Sequence, residues 1–173
     1  MIQSLGSLQI HKQAQSGVKA AIQQASAKTG VDFGYLVKQA EVESSLNPNA
    51  KAKGSSATGL YQFIEQTWLQ TVKKHGAEHG FARFADAIKQ RGDGSFTVQN
   101  HGLKNQILNL RRDPQAASLM AAELATDNHK ALTDKVGGTV GGTELYLAHF
   151  MGADGASDFL NSMKKNPWAP AAA

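Results

Sequence analysis

The chain has 173 residues, of which 41% are hydrophobic and 18% are charged. This composition is typical of a folded chain with a sizeable core and excludes a disordered one. The lack of cysteine excludes disulfides and thiolate-bound metal centres, and a net charge of +4 spread over separate basic pairs argues against a nucleic-acid partner.

Apolar residues recur at helical spacing along most of the chain, which predicts an all-α fold. After a polar N-terminal arm over residues 1–15, we expect a helix from Ser16 that stops at Gly30, and a second helix with Asp32 as its N-cap. The turn-forming residues 46–59 predict a long ordered loop with room for a short hairpin. Long ordered loops inside compact domains are commonly functional.

The remaining residues predict further helices near positions 60–76, 81–89 and 103–110, with a turn at 91–95. Asp113 and Pro114 then mark the start of a helix that runs to about Asp127. Glycines between positions 137 and 142 separate it from a helix near 145–152 and a last one near 156–164. We therefore expect one domain over residues 16–165 and a tail or linker over residues 166–173.

Two acidic side chains, Glu41 and Glu43, lie at the end of the second predicted helix, directly before the long loop. Residues two positions apart on a helix point about 200° from one another, so these two cannot act as a carboxylate pair. The apolar stripe with Leu36 and Ala40 places Glu43 on the buried side and Glu41 in water. Burial raises the pKa of a carboxyl, which suits a general acid, whereas a solvated helix-end carboxylate is the competing interpretation.

A two-part pattern begins at this point: Glu43-Ser44-Ser45-Leu46-Asn47-Pro48, followed by Gly59-Leu60-Tyr61-Gln62 and by a helix with Thr67-Trp68. The pattern resembles that of the soluble lytic transglycosylase (SLT) family, and the resemblance extends from about Asp32 to about Leu160. It implies a helical, lysozyme-like fold of the goose-type lysozyme kind and cleavage of peptidoglycan strands.

The resemblance also implies one catalytic carboxyl, which maps onto Glu43. This residue would protonate the oxygen between N-acetylmuramic acid (MurNAc) and N-acetylglucosamine (GlcNAc), and would then take a proton from the C6 hydroxyl to form a 1,6-anhydro end. By family position Ser44, Gln62 and the backbone around Gly59 and Tyr61 would bind the glycan strand.

The third family element departs from the family pattern. Where the family has Ala-Tyr-Asn-Ala-Gly, this chain has Tyr146-Leu-Ala-His-Phe-Met-Gly152, and we assign Phe150 to the tyrosine position. We expect Tyr146, His149 and Phe150 to contribute to substrate binding, with Tyr146 supplying the missing hydroxyl; plain packing is the alternative. Glu144 is the candidate for a second carboxylate.

His75 and His79 have the spacing of a helical metal pair, but Gly76 and Gly80 interrupt the helix and the pattern His-Glu-x-x-His is missing. The turn at residues 91–95 lacks the ligand pattern of a calcium loop. We therefore expect no metal site and no cofactor.

The expected function is cleavage of the MurNAc–GlcNAc bond by a monomer whose partner is the peptidoglycan glycan strand, without nucleic acid and without a membrane span. The substrate places the expected site of action in the periplasm or outside the cell, although no signal peptide is visible. Local wall opening for a flagellar or secretion-system component is the expected role. A hydrolytic muramidase, a wall-binding scaffold and a small nucleic-acid binder are the alternatives.

Overall fold

A computed structural model describes residues 2–166, and it describes side chains from Gln13 onward. This part of the chain is mostly helical, which confirms the predicted all-α class. In chain order the elements are α1 (Ile2–Thr29), α2 (Phe33–Ser44), α3 (Glu65–His75), a 3₁₀ turn (Gly76–His79), α4 (Ala82–Ala87), strands β1 (Lys89–Gln90) and β2 (Phe96–Thr97), α5 (His101–Asn109), a second 3₁₀ turn (Leu110–Arg112), α6 (Pro114–Val136) and α7 (Gly142–Lys165).

Several helix boundaries differ from the prediction. Helix α3 begins at Glu65 and not near residue 60, because Gly59 and Gln62 adopt positive φ angles that a helix does not accept. Helix α1 begins at Ile2, so the expected polar arm is helical from that residue on. Its residues are polar but include few helix breakers, and polarity by itself does not oppose a helix. Helix α6 continues to Val136, and the last two predicted helices form one helix, α7, with a kink at Gly152, where φ is 76°.

Within residues 2–166, strands form only in short segments. The hairpin expected within residues 46–59 is reduced to an isolated antiparallel bridge between Lys51 and Thr58. The two strands that do form, β1 and β2, are antiparallel neighbours joined by the predicted turn at residues 91–95. In that turn Asp93 accepts hydrogen bonds from the backbone N–H and the hydroxyl of Ser95, which gives this aspartate a structural role.

The chain forms two compact units, one running through Glu123 and the other from Leu124 onward, so the boundary falls within α6. In the first unit α1 contacts α2, and α3 contacts α4, α5 and β2. Trp68 of α3 is fully buried; its indole N–H donates to the carbonyl of Ile107 at 2.8 Å, and its ring meets Phe63 edge-on. This contact fixes α3, which follows the long loop, against α5.

The second unit has its own small apolar cluster. Leu132 of α6 packs with Ala148 and Ala156 of α7, and partly buried residues around them complete the cluster: Val136, Val140, Leu147 and Leu160. An ion pair between Lys135 and Asp154 adds a second link between the two helices of this unit. The predicted tail, apart from Asn166, lies outside the described residues, and the single domain over residues 16–165 stays a prediction.

Candidate active site

Glu43 lies in the last turn of α2 and is half-buried, whereas Glu41 is exposed. The same helix buries Leu36 and Ala40 completely, as the helical spacing predicts. Glu41 faces solvent and lies 3.9 Å from the ammonium of Lys38. The two carboxylates therefore have different environments, although one residue separates them in the sequence.

Burial raises the pKa of the Glu43 carboxyl above its ordinary value, because the half-buried site hydrates the charged form poorly. The direction of this pKa shift is the one that the helical pattern predicts. It increases the fraction of Glu43 that carries a proton near neutral pH, as proton donation requires.

The backbone directly after Glu43 is strained. Ser45 and Leu46 both adopt left-handed conformations, with φ of 53° and 61°. Such angles cost about 1–3 kcal/mol for a residue other than glycine and persist only where the surrounding structure enforces them. Here the N–H groups of Ser45 and Leu46 bond to the carbonyls of Glu41 and Ala40, and the Leu46 side chain is buried. The end of α2 is therefore held in one defined conformation.

Ser44 joins the end of α2 to the long loop. Its hydroxyl donates to the carbonyl of Leu60 at 2.8 Å and also lies 3.1 Å from the carbonyl of Ala40. The Ser44 hydroxyl oxygen accepts from the backbone N–H of Asn47 at 3.2 Å. Ser44 thus brings the Gly59–Gln62 segment next to the helix end that carries Glu43, and its hydroxyl has a loop-fixing role.

Gly59 requires glycine for two separate reasons. Its φ is +84°, and a Cβ atom at this position would clash with the backbone carbonyl of Arg111. The Arg111 guanidinium in turn donates from Nη1 to the carbonyls of Ser56 at 2.7 Å and Phe63 at 3.0 Å, and its Nε donates to Leu108. The backbone of Arg111 therefore approaches the loop at Gly59, while its side chain holds the loop on both sides.

Gln62 and Tyr61 complete this segment. Gln62 has a φ of 47°, and its side-chain amide donates to the carbonyls of Gly59 at 2.7 Å and Ala50 at 3.3 Å. The Tyr61 side chain is fully buried, and burial raises the pKa of its phenol far above the ordinary value. The whole of Tyr61, backbone included, is buried, so it is a core residue. The Gln62 side-chain N–H groups brace the loop.

The remaining predicted site residues lie in the second unit. Glu144 accepts the N–H of Gly141 at 2.8 Å and so caps the N-terminus of α7. Tyr146 and Phe150 are exposed, Phe150 to 80%, and the Tyr146 ring stacks on His149 at a centroid distance of 6.5 Å. Burial lowers the pKa of His149. The substrate-binding roles of these residues stay predictions.

A groove of about 700 Å³ lies in the first unit, between the Gln13–Gln24 face of α1, the turn Ser45–Asn49 and the segment Asp113–Gln115. Glu43 is not among the residues that line it. The groove shares the strained turn after α2 with the Glu43 region.

Sequence reasoning missed the role of Arg111. Arg111 and Arg112 form one of the dispersed basic pairs, and the sequence pattern assigns neither of them a role. Only 8% of Arg111 is exposed, and its guanidinium donates hydrogen bonds to three backbone carbonyls. A local sequence signal for this role is lacking, because two of the carbonyls belong to the distant loop.

Residues 20–88 match the family model described as Transglycosylase SLT domain. The matched segment contains α2 with Glu43, the braced loop and α3. This segment is therefore similar to an SLT domain, which supports the SLT, lysozyme-like family, and the mostly helical architecture of the described residues agrees with that fold.

An SLT domain indicates a transglycosylase-like enzyme with peptidoglycan as its substrate, and enzymes of this kind typically act outside the cytoplasm. None of the described helices has the length and apolar character needed to cross a bilayer.

Proposed function

We propose that this protein is a lytic transglycosylase that cleaves the MurNAc–GlcNAc β-1,4 bond and leaves 1,6-anhydro-muramyl ends. The observation that carries the proposal is the half-buried Glu43, with its raised pKa, beside a loop that Ser44 and Arg111 hold in place. A positioned, partly desolvated acid is the group that glycosidic bond cleavage requires.

In the proposed reaction the protonated Glu43 donates its proton to the glycosidic oxygen, and the bond from that oxygen to C1 of MurNAc breaks. Positive charge develops at C1, and the substrate's own N-acetyl carbonyl oxygen stabilises it. The Glu43 carboxylate then removes the proton of the C6 hydroxyl, and O6 bonds to C1. Glu43 recovers its proton, and the reaction consumes no water.

This mechanism uses one carboxyl, and two other glutamates have structural partners. Glu65 lies 2.6 Å from the ammonium of Lys104, and Glu144 caps α7. A hydrolytic enzyme of the usual kind needs a second carboxylate to activate water or to act as nucleophile. The structural use of Glu65 and Glu144 supports the non-hydrolytic outcome.

The proposal extends to the glycan contacts. Ser44 and Gln62, which are partly exposed, would contact the strand beside Glu43. We do not extend the proposal to the backbone of Gly59 and Tyr61, because both residues are buried. We also propose substrate-binding roles for Tyr146, His149 and Phe150, with Tyr146 providing a hydroxyl. We also propose a role in local opening of the wall for a flagellar or secretion-system component, in the periplasm or after export.

The test is mass spectrometry of the soluble products released from purified peptidoglycan sacculi by the wild-type protein, Glu43→Gln and Glu41→Gln. Glu41→Gln is the matched control, because it removes the same charge two positions away at an exposed site. We expect anhydromuramyl products from the wild type and Glu41→Gln. Glu43→Gln should lose at least about 10³-fold in rate, because Glu43 serves as both acid and base.

Products with reducing ends, one water heavier, would identify a hydrolytic muramidase and make Glu144 the first residue to test as the missing base. A folded wild type that binds sacculi but releases no products would indicate a wall-binding scaffold. Equal loss in Glu41→Gln and Glu43→Gln would contradict the assigned role of Glu43.

A further inference from the structure

A cluster of titratable side chains that the proposed reaction does not use lies in the first unit. The Glu123 carboxylate is held between two histidines: its Oε2 lies 3.4 Å from Nδ1 of His75, and its Oε1 lies 2.6 Å from Nε2 of His79. All three side chains are at least 87% buried. The ligand atoms of His75, Glu78 and Glu123 all lie within 4.8 Å of one another.

Two distant parts of the chain form this cluster. His75 ends α3, and the following 3₁₀ turn carries Glu78 and His79, while Glu123 lies on α6. The side chains of His75 and His79, which come from the end of α3 and from the 3₁₀ turn, both reach the Glu123 carboxylate. His79 and Glu123 are separated by 44 positions in the sequence, so this cluster joins segments that local spacing cannot relate.

We propose that His75, Glu78 and Glu123 bind a divalent transition metal, of which Zn²⁺ is the expected example. His79 is not a ligand in this proposal; it holds the second oxygen of Glu123 and orients that carboxylate. Metal sites commonly have such an outer partner, and a carboxylate paired with a histidine is a frequent arrangement.

The distances fit this assignment. In a tetrahedral zinc site with bonds of about 2.0 Å, neighbouring ligand atoms lie about 3.3 Å apart. The separation of 3.4 Å between His75 and Glu123 already matches that value. Glu78 is exposed, so rotation of its side chain can bring its carboxylate closer to the ligand atoms of His75 and Glu123.

The donor set also selects the kind of metal. One imidazole nitrogen and two carboxylates suit zinc and similar transition metals, whereas calcium and magnesium prefer oxygen ligands alone. Two carboxylates neutralise the charge of the ion. Three protein ligands leave a fourth position for water.

A metal ion here would tie the 3₁₀ turn after α3 to α6. This link would stabilise the folded first unit, because the unfolded chain does not hold the three ligands together. The proposal does not depend on Glu43. It revises the expectation of no metal, which considered His75 and His79 but not Glu78 and Glu123.

The experiment is titration of the untagged full-length protein with Zn²⁺ by isothermal calorimetry, together with thermal melts with and without the metal. We expect one ion per chain and a rise in Tm of about 5 °C or more at saturation. Glu78→Gln is the key variant, because its exposed position leaves the fold intact, and it should weaken binding by at least about 10-fold.

Further variants separate the roles of the residues. His75→Asn should weaken Zn²⁺ binding at least as much as Glu78→Gln does. His79→Asn should weaken Zn²⁺ binding by about 10-fold, because the Glu123 carboxylate loses the hydrogen bond that orients it. His129→Asn, an exposed histidine on the same helix as Glu123, is the matched control and should bind like the wild type. The Co²⁺-loaded protein should show visible absorption bands that change in His75→Asn.

A three-ligand zinc site should be occupied at a free Zn²⁺ concentration of about 100 μM. If the wild type does not bind Zn²⁺ at that concentration, the proposal is wrong. Binding that Glu78→Gln and His75→Asn both leave unchanged would also overturn it, because the ion would then lie elsewhere. Cleavage of sacculi by the wild type would not rescue the proposal in either case.

Discussion

Glu41 and Glu43 show that two identical side chains can differ in exposure and in pKa when their surroundings differ. Glu41 is exposed beside Lys38, while Glu43 is half-buried and has a raised pKa. A carboxyl in this state holds its proton more tightly in the folded protein than in the unfolded chain. The property that favours proton donation therefore has a cost in stability at neutral pH.

This linkage makes a prediction for Glu43→Gln. Above its raised pKa the folded protein must hold a poorly hydrated charge at Glu43, so the free energy of unfolding falls as the pH rises from the ordinary pKa of a glutamate through the raised one. Removing the charge should raise Tm by up to about 2 °C near pH 7.5. Below about pH 3, where Glu43 carries its proton in both states, the difference should vanish.

Thermal melts of the wild type, Glu43→Gln and Glu41→Gln at several pH values check this prediction. Glu41→Gln controls for the loss of one negative charge at an exposed site. A Glu43→Gln variant that is less stable than the wild type near pH 7.5 would show that neighbouring groups favour the charged form.

Gly59 allows a second prediction at this scale. Gly59→Ala places a Cβ against the carbonyl of Arg111 and forces a side chain into a backbone conformation with φ of +84°. We expect a loss of about 3 kcal/mol or more in the free energy of unfolding, measured with urea. Gly54→Ala is the control, because its φ of +76° gives the same backbone strain but nothing lies near its Cβ. Equal losses in the two variants would show that the contact with Arg111 is unimportant.

Among the elements, the loop between α2 and α3 is held by side chains from outside it. Ser44 bonds to it from α2, and Arg111 bonds to the carbonyls of Ser56 and Phe63 from the 3₁₀ turn before α6. The loop has little regular structure, so these bonds replace the backbone pairing that a strand would supply.

Arg111→Lys tests this bracing. A lysine keeps the charge but cannot match the fork of donors that reaches several carbonyls at once. We expect a loss of about 2 kcal/mol in stability, faster amide exchange over residues 50–63 and a lower kcat on sacculi. Arg112→Lys, the exposed neighbour, should change none of these. Unchanged exchange in Arg111→Lys would mean that the loop is held by other contacts.

At the scale of the whole molecule, the net charge of +4 suits a substrate that carries carboxylates, such as wall peptides. Binding of Glu43→Gln to purified sacculi, which avoids their degradation, should weaken severalfold when salt rises from about 50 to about 300 mM. Sacculi with amidated carboxylates should bind more weakly and show less salt dependence. Salt-independent binding would show that charge contributes nothing to this association.

Much of the fold could be predicted from the sequence because helices are local. Asp32 caps α2 and Asp113 caps α6, as their positions before apolar stripes indicate, and Val18, Ile22, Leu36 and Trp68 are buried as their spacing predicts. The half-buried position of Glu43 follows from the same periodicity. The start of α1 and the end of α6 were missed because polar residues continue a helix when nothing breaks it.

The sequence by itself determined the helical class, the two-part SLT pattern and the separate environments of Glu41 and Glu43, because each depends on residues within a few turns of one another. Only the tertiary structure decided that Arg111 braces the loop, that the Tyr61 side chain is buried and that Glu123 lies between His75 and His79. These contacts join residues far apart in the chain, and helical packing, which a local pattern does not encode, brings them together.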